Sequence, residues 1–374
     1  MSLPITNERL LIEAVAEGRA DDVRRLLPIS EARAGHSAAL RCAVATQRTE
    51  IIQLLIPYSD AKADNSYVLR QAVEIGRIDV VEMLLPYADP KALNSEALRY
   101  AAEHGDVDMV ELLLPVSDPL ADRCCALWAA AEHGHSKIVE MLIPMSEPQP
   151  ARSSALCSAA INGHREIVEL LIPVSDPKAD DSYALCQAAK NGHREIVELL
   201  IPVSDPKADY SRALRYAVEC GHTSVVEILI AVSEPNVRGA FVLQVAAENG
   251  WMDIIDLLIP VCDPKAKNSM ALRCAVYAGN LKVVERLLPF SDAKAEGSYA
   301  LGLALECGQL EIAEILLGHT DRDVVYEKLT VNGARALSAL EASILKRELA
   351  DTTAEAGVAD KDLSAPAQPA VRRI

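Results

Sequence analysis

The sequence predicts an all-α helical solenoid of about eleven helix-turn-helix repeats, closed by C-terminal capping helices. Three observations carry that prediction. A 29-residue period runs through most of the 374 residues. Each period holds two short apolar helical faces separated by a glycine. Half of the residues are hydrophobic but only 4% are aromatic, so the core is built from Ala, Val, Ile and Leu, which suits closely packed helices better than a β-sandwich. Length alone argues for two or three domains; the period replaces that prior with a single array.

Glycine stands at 18, 76, 105, 134, 163, 192, 221, 250, 279 and 308, with Gln47 in the slot of the one doubled gap. Leu occupies the position seven before this slot in every copy, from Leu11 to Leu301, and Ala the position four before it, from Ala14 to Ala304. Leu follows eight after it, from Leu26 to Leu316, and Asp or Glu thirteen after it, from Glu31 to Asp321.

The elements of one copy follow in order. Ala184, Leu185, Ala188 and Ala189 lie on one face of a first helix. Ser182 precedes that run and is expected to be its N-cap; eight of eleven copies have Ser there. Asn191-Gly192 ends the helix, glycine taking a left-handed conformation. Ile196, Val197, Leu200 and Ile201 mark a second helical face, which Pro202 stops. Ser204-Asp205-Pro206 then reads as a turn or a single tight helical turn. Its acidic residue reads as a loop cap rather than as part of a negatively charged rail. A lone helical pair leaves an apolar face uncovered. Stacking identical pairs buries every such face but the two outermost, and the all-Ala column marks where neighbouring backbones come close.

The array is expected over residues 1–321, with capping helices over 322–350 and a disordered tail over 351–374. The first copy has Asp22 and Arg25 at core slots, as an end cap requires. The tail segment Ser364-Ala365-Pro366-Ala367-Gln368-Pro369 cannot build a core. The copies that follow Gly163 and Gly192 are nearly identical, which suggests a recent duplication.

The run Ala184-Leu185-Cys186, Ala188-Ala189, Gly192-His193, Glu195-Ile196-Val197-Glu198-Leu199-Leu200 resembles the second half of the ankyrin repeat almost column for column. The resemblance covers residues 8 to about 320. This repeat is about four residues shorter than usual, and Tyr183-Ala184-Leu185-Cys186 stands where the family has Thr-Pro-Leu-His. The missing residues belong to the projecting β-hairpin, so little or no β-structure is expected here. The resemblance implies a non-enzymatic scaffold that binds another protein through its first-helix surface.

Several other functions lack support. With 37 basic against 54 acidic residues, a net charge of −17, nucleic acid is disfavoured as the main ligand. So are anionic membrane surfaces. No apolar run approaches the ~18 residues that cross a bilayer, and residues 1–8 lack the basic and apolar regions of a secretory leader. A cytoplasmic location is expected, with delivery into another cell by a dedicated secretion system left open. The nine cysteines show no CxxC or metal-finger spacing and read as reduced, small hydrophobic residues. His135, His164, His193 and His222 share one column, but copies one repeat apart stand ~8–10 Å from each other, too far for easy metal ligation. Their reading is a histidine at the turn into the second helix. No phosphate loop, nucleophile elbow or nucleophile–base pair is present, and no cofactor or metal is expected.

Removing the core slots from the first helix leaves positions nine, five, two and one before the glycine. Seven of the fourteen aromatics fall in this stripe of 44 positions: Tyr67, Tyr100, Tyr183, Tyr216, Phe241, Tyr277 and Tyr299. Random placement would put fewer than two there. Glu74, Glu103, Glu132, Glu219, Glu248 and Glu306 share the stripe, with His104, His133 and few bases, namely Lys190 and Arg212. Tyr offers a large contact area at low entropy cost, as protein interfaces use it. The candidate partner-binding residues are therefore Tyr67, Glu74, Tyr100, Glu103, His104, Glu132, His133, Tyr183, Lys190, Tyr216, Glu219, Glu248 and Tyr277. The partner would be a protein with a basic or mixed basic and apolar surface, captured, with or without inhibition, in an acidic, Tyr-rich concave groove. The alternatives are a homo-oligomeric structural protein and an enzyme outside recognised motifs. A second glutamate column, including Glu82, Glu111, Glu140, Glu169, Glu198 and Glu227, is expected on the outer side of the second helix.

Overall fold

The structure is a computed structural model that describes residues 6–32, 34–146, 151–320, 322–327 and 329–363. It divides into two compact units, Met1–Tyr216 and Ala217–Ile374. Among the described residues all regular structure is helical. In the first unit, first helices such as Ala92–His104 and Ala121–His133 pack on one another, and second helices such as Ser136–Leu142 and Arg165–Leu171 do the same. The second unit repeats the arrangement, with Val237–Asn249 on Ala266–Tyr277 and Thr223–Ile230 on Met252–Leu258.

The periodic columns explain this packing. Every Leu seven before the glycine is buried, and so is every Ala four before it. The side chains of Ile196, Val197 and Leu200 close the same core from the second helix Arg194–Leu200. The Glu column of that helix is exposed, and Arg165–Glu169 and Arg194–Glu198 pair along it at 2.9 Å, each worth only a few tenths of a kcal/mol in the open. At the N-terminal end, Asp22 pairs with Arg19 and Arg25, so the polar residues at core slots satisfy one another.

The glycine column ends each first helix as expected: Gly192 has φ +77°. Gln47 takes the same conformation, at φ +54°, without glycine's freedom. A left-handed residue other than glycine costs about 1–2 kcal/mol. Gln47→Gly is therefore expected to stabilise the chain by about 1 kcal/mol, read as a rise in the urea midpoint. No gain would mean that this side chain makes a compensating contact.

The role assigned to the serine column needs correction. Segment Ala179–Lys190 opens with a left-handed turn, φ 50°, 57° and 59° at Asp180, Asp181 and Ser182, before the right-handed helix begins. Ser182 is buried, and its Oγ accepts a 2.8 Å hydrogen bond from the backbone N–H of Asp205 in the next repeat. Ser37, Ser66, Ser95, Ser153 and Ser269 likewise receive the N–H of Asp60, Asp89, Asp118, Asp176 and Asp292. The serine thus ties successive repeats together rather than capping its own helix. The acidic column caps its loop as read: Asp205 Oδ1 accepts the N–H of Lys207 at 3.0 Å, and Asp60, Asp89, Asp118, Asp176, Asp263 and Asp292 do the same two residues on.

The C-terminal end also differs from the sequence expectation. Arg322–Tyr326 is a short helix, and Val331–Leu363 is one helix of 33 residues that crosses position 350. Leu337 and Leu340 are buried, and the helix packs on Ala295–Glu306. Helix formers such as Ala354, Glu355, Ala356 and Lys361 continue past 350, and the first proline comes only at Pro366. Residues 364–374 of the expected tail lie outside the described residues.

Candidate functional site

The first helices expose the stripe that the sequence singles out. In the first unit, Glu74, His104, His133, Tyr183 and Lys190 are exposed, and Tyr67, Tyr100, Glu103, Glu132 and Tyr216 are half-buried. In the second unit, Glu219, Glu248 and Tyr277 are exposed, Tyr277 at 68%. None of the predicted residues is sealed under a neighbouring repeat. Among the described residues no ion pair reaches the carboxylates of Glu74, Glu132, Glu219 or Glu248.

The charge of this face differs from the reading of few bases. Position six before the glycine slot adds Arg41, Arg70, Arg99, Arg215 and Arg273. All five are half-buried, and the guanidinium groups of Arg41, Arg70, Arg99 and Arg273 turn onto tyrosine rings of the stripe. Arg41 lies 4.6 Å from the ring centre of Tyr67, Arg99 lies 4.4 Å from that of Tyr100, and Arg273 lies 4.7 Å from that of Tyr299. The Lys190 ammonium sits 5.6 Å from the Tyr216 ring centre. Arg99 also binds Glu103 at 2.6 Å, Arg70 binds Glu96 at 2.5 Å, and Arg212 pairs with Asp209. Glu103 is thus already neutralised. The face alternates aromatic rings with cations instead of presenting one sign.

The same column in the following repeats holds Trp128, Cys157 and Cys186. There the surface opens into a cleft of about 330 Å³ lined by Trp128, Ser153, Ser154, Cys157, Ser158, Ile161, Ala179, Asp180 and Tyr183. Trp128 is 41% exposed and Tyr183 37%. Ser154 and Ser158 stand where other repeats carry tyrosine, and the space left by the small side chains makes the cleft. The period itself could have found Trp128, because column six changes character at that residue.

The histidine column has a structural role. His135 Nε2 bonds the carbonyl of Glu103 at 2.9 Å, and His164 and His193 reach the carbonyls of Glu132 and Ile161 at the same distance. Each ring lies over the glycine of the preceding repeat. Among the described residues no three His, Cys, Asp or Glu side chains converge as metal ligands.

All nine cysteines are free thiols. Burial pushes Cys157 and Cys186 up to about 11 and Cys262 up to about 12, so these stay protonated at neutral pH. Cys220 and Cys307 are exposed. Iodoacetamide at pH 8 is expected to modify Cys220 and Cys307 first, with Cys157, Cys186 and Cys262 reacting only after urea unfolding. Peptide mapping by mass spectrometry checks the order.

A family model described as ankyrin repeats (3 copies) matches residues 69–153, 98–181, 156–239 and 243–328, well over half of the chain. The chain is an ankyrin-repeat protein. No curated protein matches it. Ankyrin repeats generally mediate protein–protein interaction. This ankyrin-repeat chain carries its Ser–Asp loops, free of strands among the described residues, where the projecting hairpin of the usual repeat would be. No helix among those residues is long and apolar enough to cross a membrane.

Proposed function

We propose that this chain is a non-enzymatic scaffold that captures a protein partner on the open face of its first helices, and that capture masks the partner's own working surface. The observation that carries this reading is the placement of half of the chain's aromatics in the first-helix stripe, four in the first unit and three in the second, exposed or half-exposed. The partner presents basic and apolar groups: apolar groups meet the tyrosine rings, and basic groups meet Glu74, Glu132, Glu219 and Glu248. Because three of those carboxylates are exposed and Glu132 is half-exposed, affinity is expected to fall as ionic strength rises and the screening length drops below ~8 Å. The protein acts in the cytoplasm, where its thiols remain reduced.

A photo-crosslinking residue at Tyr100 or Tyr216, in cells that contain the partner, tests the face. Adducts are expected from these positions and not from Tyr58 or Tyr87, exposed tyrosines in the short 3-10 and turn segments after the second helices. With the crosslinked partner purified, Tyr216→Ala and Glu132→Lys should each weaken binding about tenfold, ~1.4 kcal/mol. Equal crosslinking from Tyr58 or Tyr87 would overturn the assignment.

Self-association is the second reading, favoured by Val331 and Leu345, which are 71% and 57% exposed on the C-terminal helix. Light scattering at two concentrations separates a monomer from an oligomer.

A further inference from the structure

Two places in the chain share a three-part contact. Arg41 pairs at 3.2 Å with Asp64, twenty-three residues later, and lies 4.6 Å from the ring centre of Tyr67, twenty-six residues later. Arg273 pairs at 2.7 Å with Glu296 and lies 4.7 Å from the ring centre of Tyr299, at the same two spacings. In each case the guanidinium is held between a carboxylate and an aromatic ring, which both favour a planar cation.

A third place keeps the carboxylate and the ring but lacks the cation. Asp180 and Tyr183 stand twenty-three and twenty-six residues after Cys157, which occupies the arginine position. The Cys157 thiol cannot substitute. Burial first, and then the nearby Asp180 charge, push it up to about 11, so it is neutral. Among the described residues no ion pair or cation–π contact engages Asp180, Tyr183 or Trp128. The space where the arginine side chain would lie is part of the 330 Å³ cleft, and Trp128 lines it too.

We propose that a guanidinium group from a protein partner enters the cleft between Trp128 and Tyr183 and pairs with Asp180, in the place that Arg41 and Arg273 fill from within the chain. The proposal rests on the partner-binding reading above and names the anchor it uses. An arginine fits better than a lysine, because the site offers a flat ring and a carboxylate together, the geometry that a planar fork satisfies and a point charge does not. The net charge of −17 favours approach of such a segment.

A random 12-residue peptide library displayed on phage, selected against the full chain, tests this. Selected peptides are expected to share an arginine, and fluorescence polarisation of the synthetic peptides should show at least tenfold weaker binding when that arginine is replaced by citrulline. Replacement by lysine should cost less. Asp180→Asn should weaken binding by a similar factor. Cys157→Arg should abolish it, because the chain's own guanidinium would then fill the place, and circular dichroism and thermal melting should show that variant folded. The proposal is overturned if the peptides need no cation, or if Cys157→Arg leaves affinity within twofold. Should such peptides still respond to Tyr216→Ala or Glu132→Lys, the binding face stands and only this anchor fails. If no selected peptide responds to any of these changes, both fail.

Discussion

Gly105→Ala is expected to lower stability by about 2–3 kcal/mol, the sum of two separable costs. Gly105 has φ +75°, a conformation that costs an L-residue about 1–2 kcal/mol. A Cβ there would also overlap His135 Cε1, so the imidazole must shift away. Its departure breaks the 2.9 Å bond to the Glu103 carbonyl, worth a further ~1 kcal/mol. Gly76 supplies the control: its φ is +76°, but nothing lies within 4 Å of the added Cβ. Urea unfolding of both variants should therefore show Gly76→Ala losing about 1 kcal/mol and Gly105→Ala clearly more. Equal losses would remove the histidine from this account.

Ser182→Ala is expected to cost about 1–2 kcal/mol, although it deletes a single oxygen. The hydroxyl is almost wholly buried and receives the Asp205 N–H; without it that donor keeps its desolvation cost and loses its bond. Hydrogen exchange should show the Asp205 amide passing from protected to fast, ahead of any change at Leu185. The chain contains its own counterpart of this experiment. Ala240 occupies the serine slot without a hydroxyl, and the N–H of Asp263 is taken instead by Asn236 Oδ1 at 2.8 Å. Asn236→Ala should then open the Asp263 amide in the same way. An unchanged exchange rate in either variant would show that the bond does not hold the repeats together.

The expected helical pairs were readable because they follow from contacts within one period. Leu185, Ala188 and Ala189 recur at helical spacing, and Gly192 marks the stop, so no distant partner is needed to infer them. The stripe of Tyr and Glu was readable by subtraction, as what remains once the core positions are removed. Its charge was not. Arg41 and Arg99 lie in a column outside the four stripe positions, yet their guanidinium groups lie over Tyr67 and Tyr100, and the Arg41 contact joins residues twenty-six apart. The left-handed turn at Asp180, Asp181 and Ser182 was hidden for a local reason: a serine before an apolar run looks like an ordinary helix cap.

By itself, then, the amino-acid order determined the period, the two helices per repeat, the buried Leu and Ala columns and the face left over. Each of these depends on spacing along the backbone. Only the tertiary structure decided what the serines and histidines bond to, which tyrosine rings the arginines lie over, and where the cleft at Trp128 opens. The serine, histidine, Arg41 and Arg273 contacts bridge neighbouring repeats, and their partners become adjacent only when one helical pair is stacked on the next.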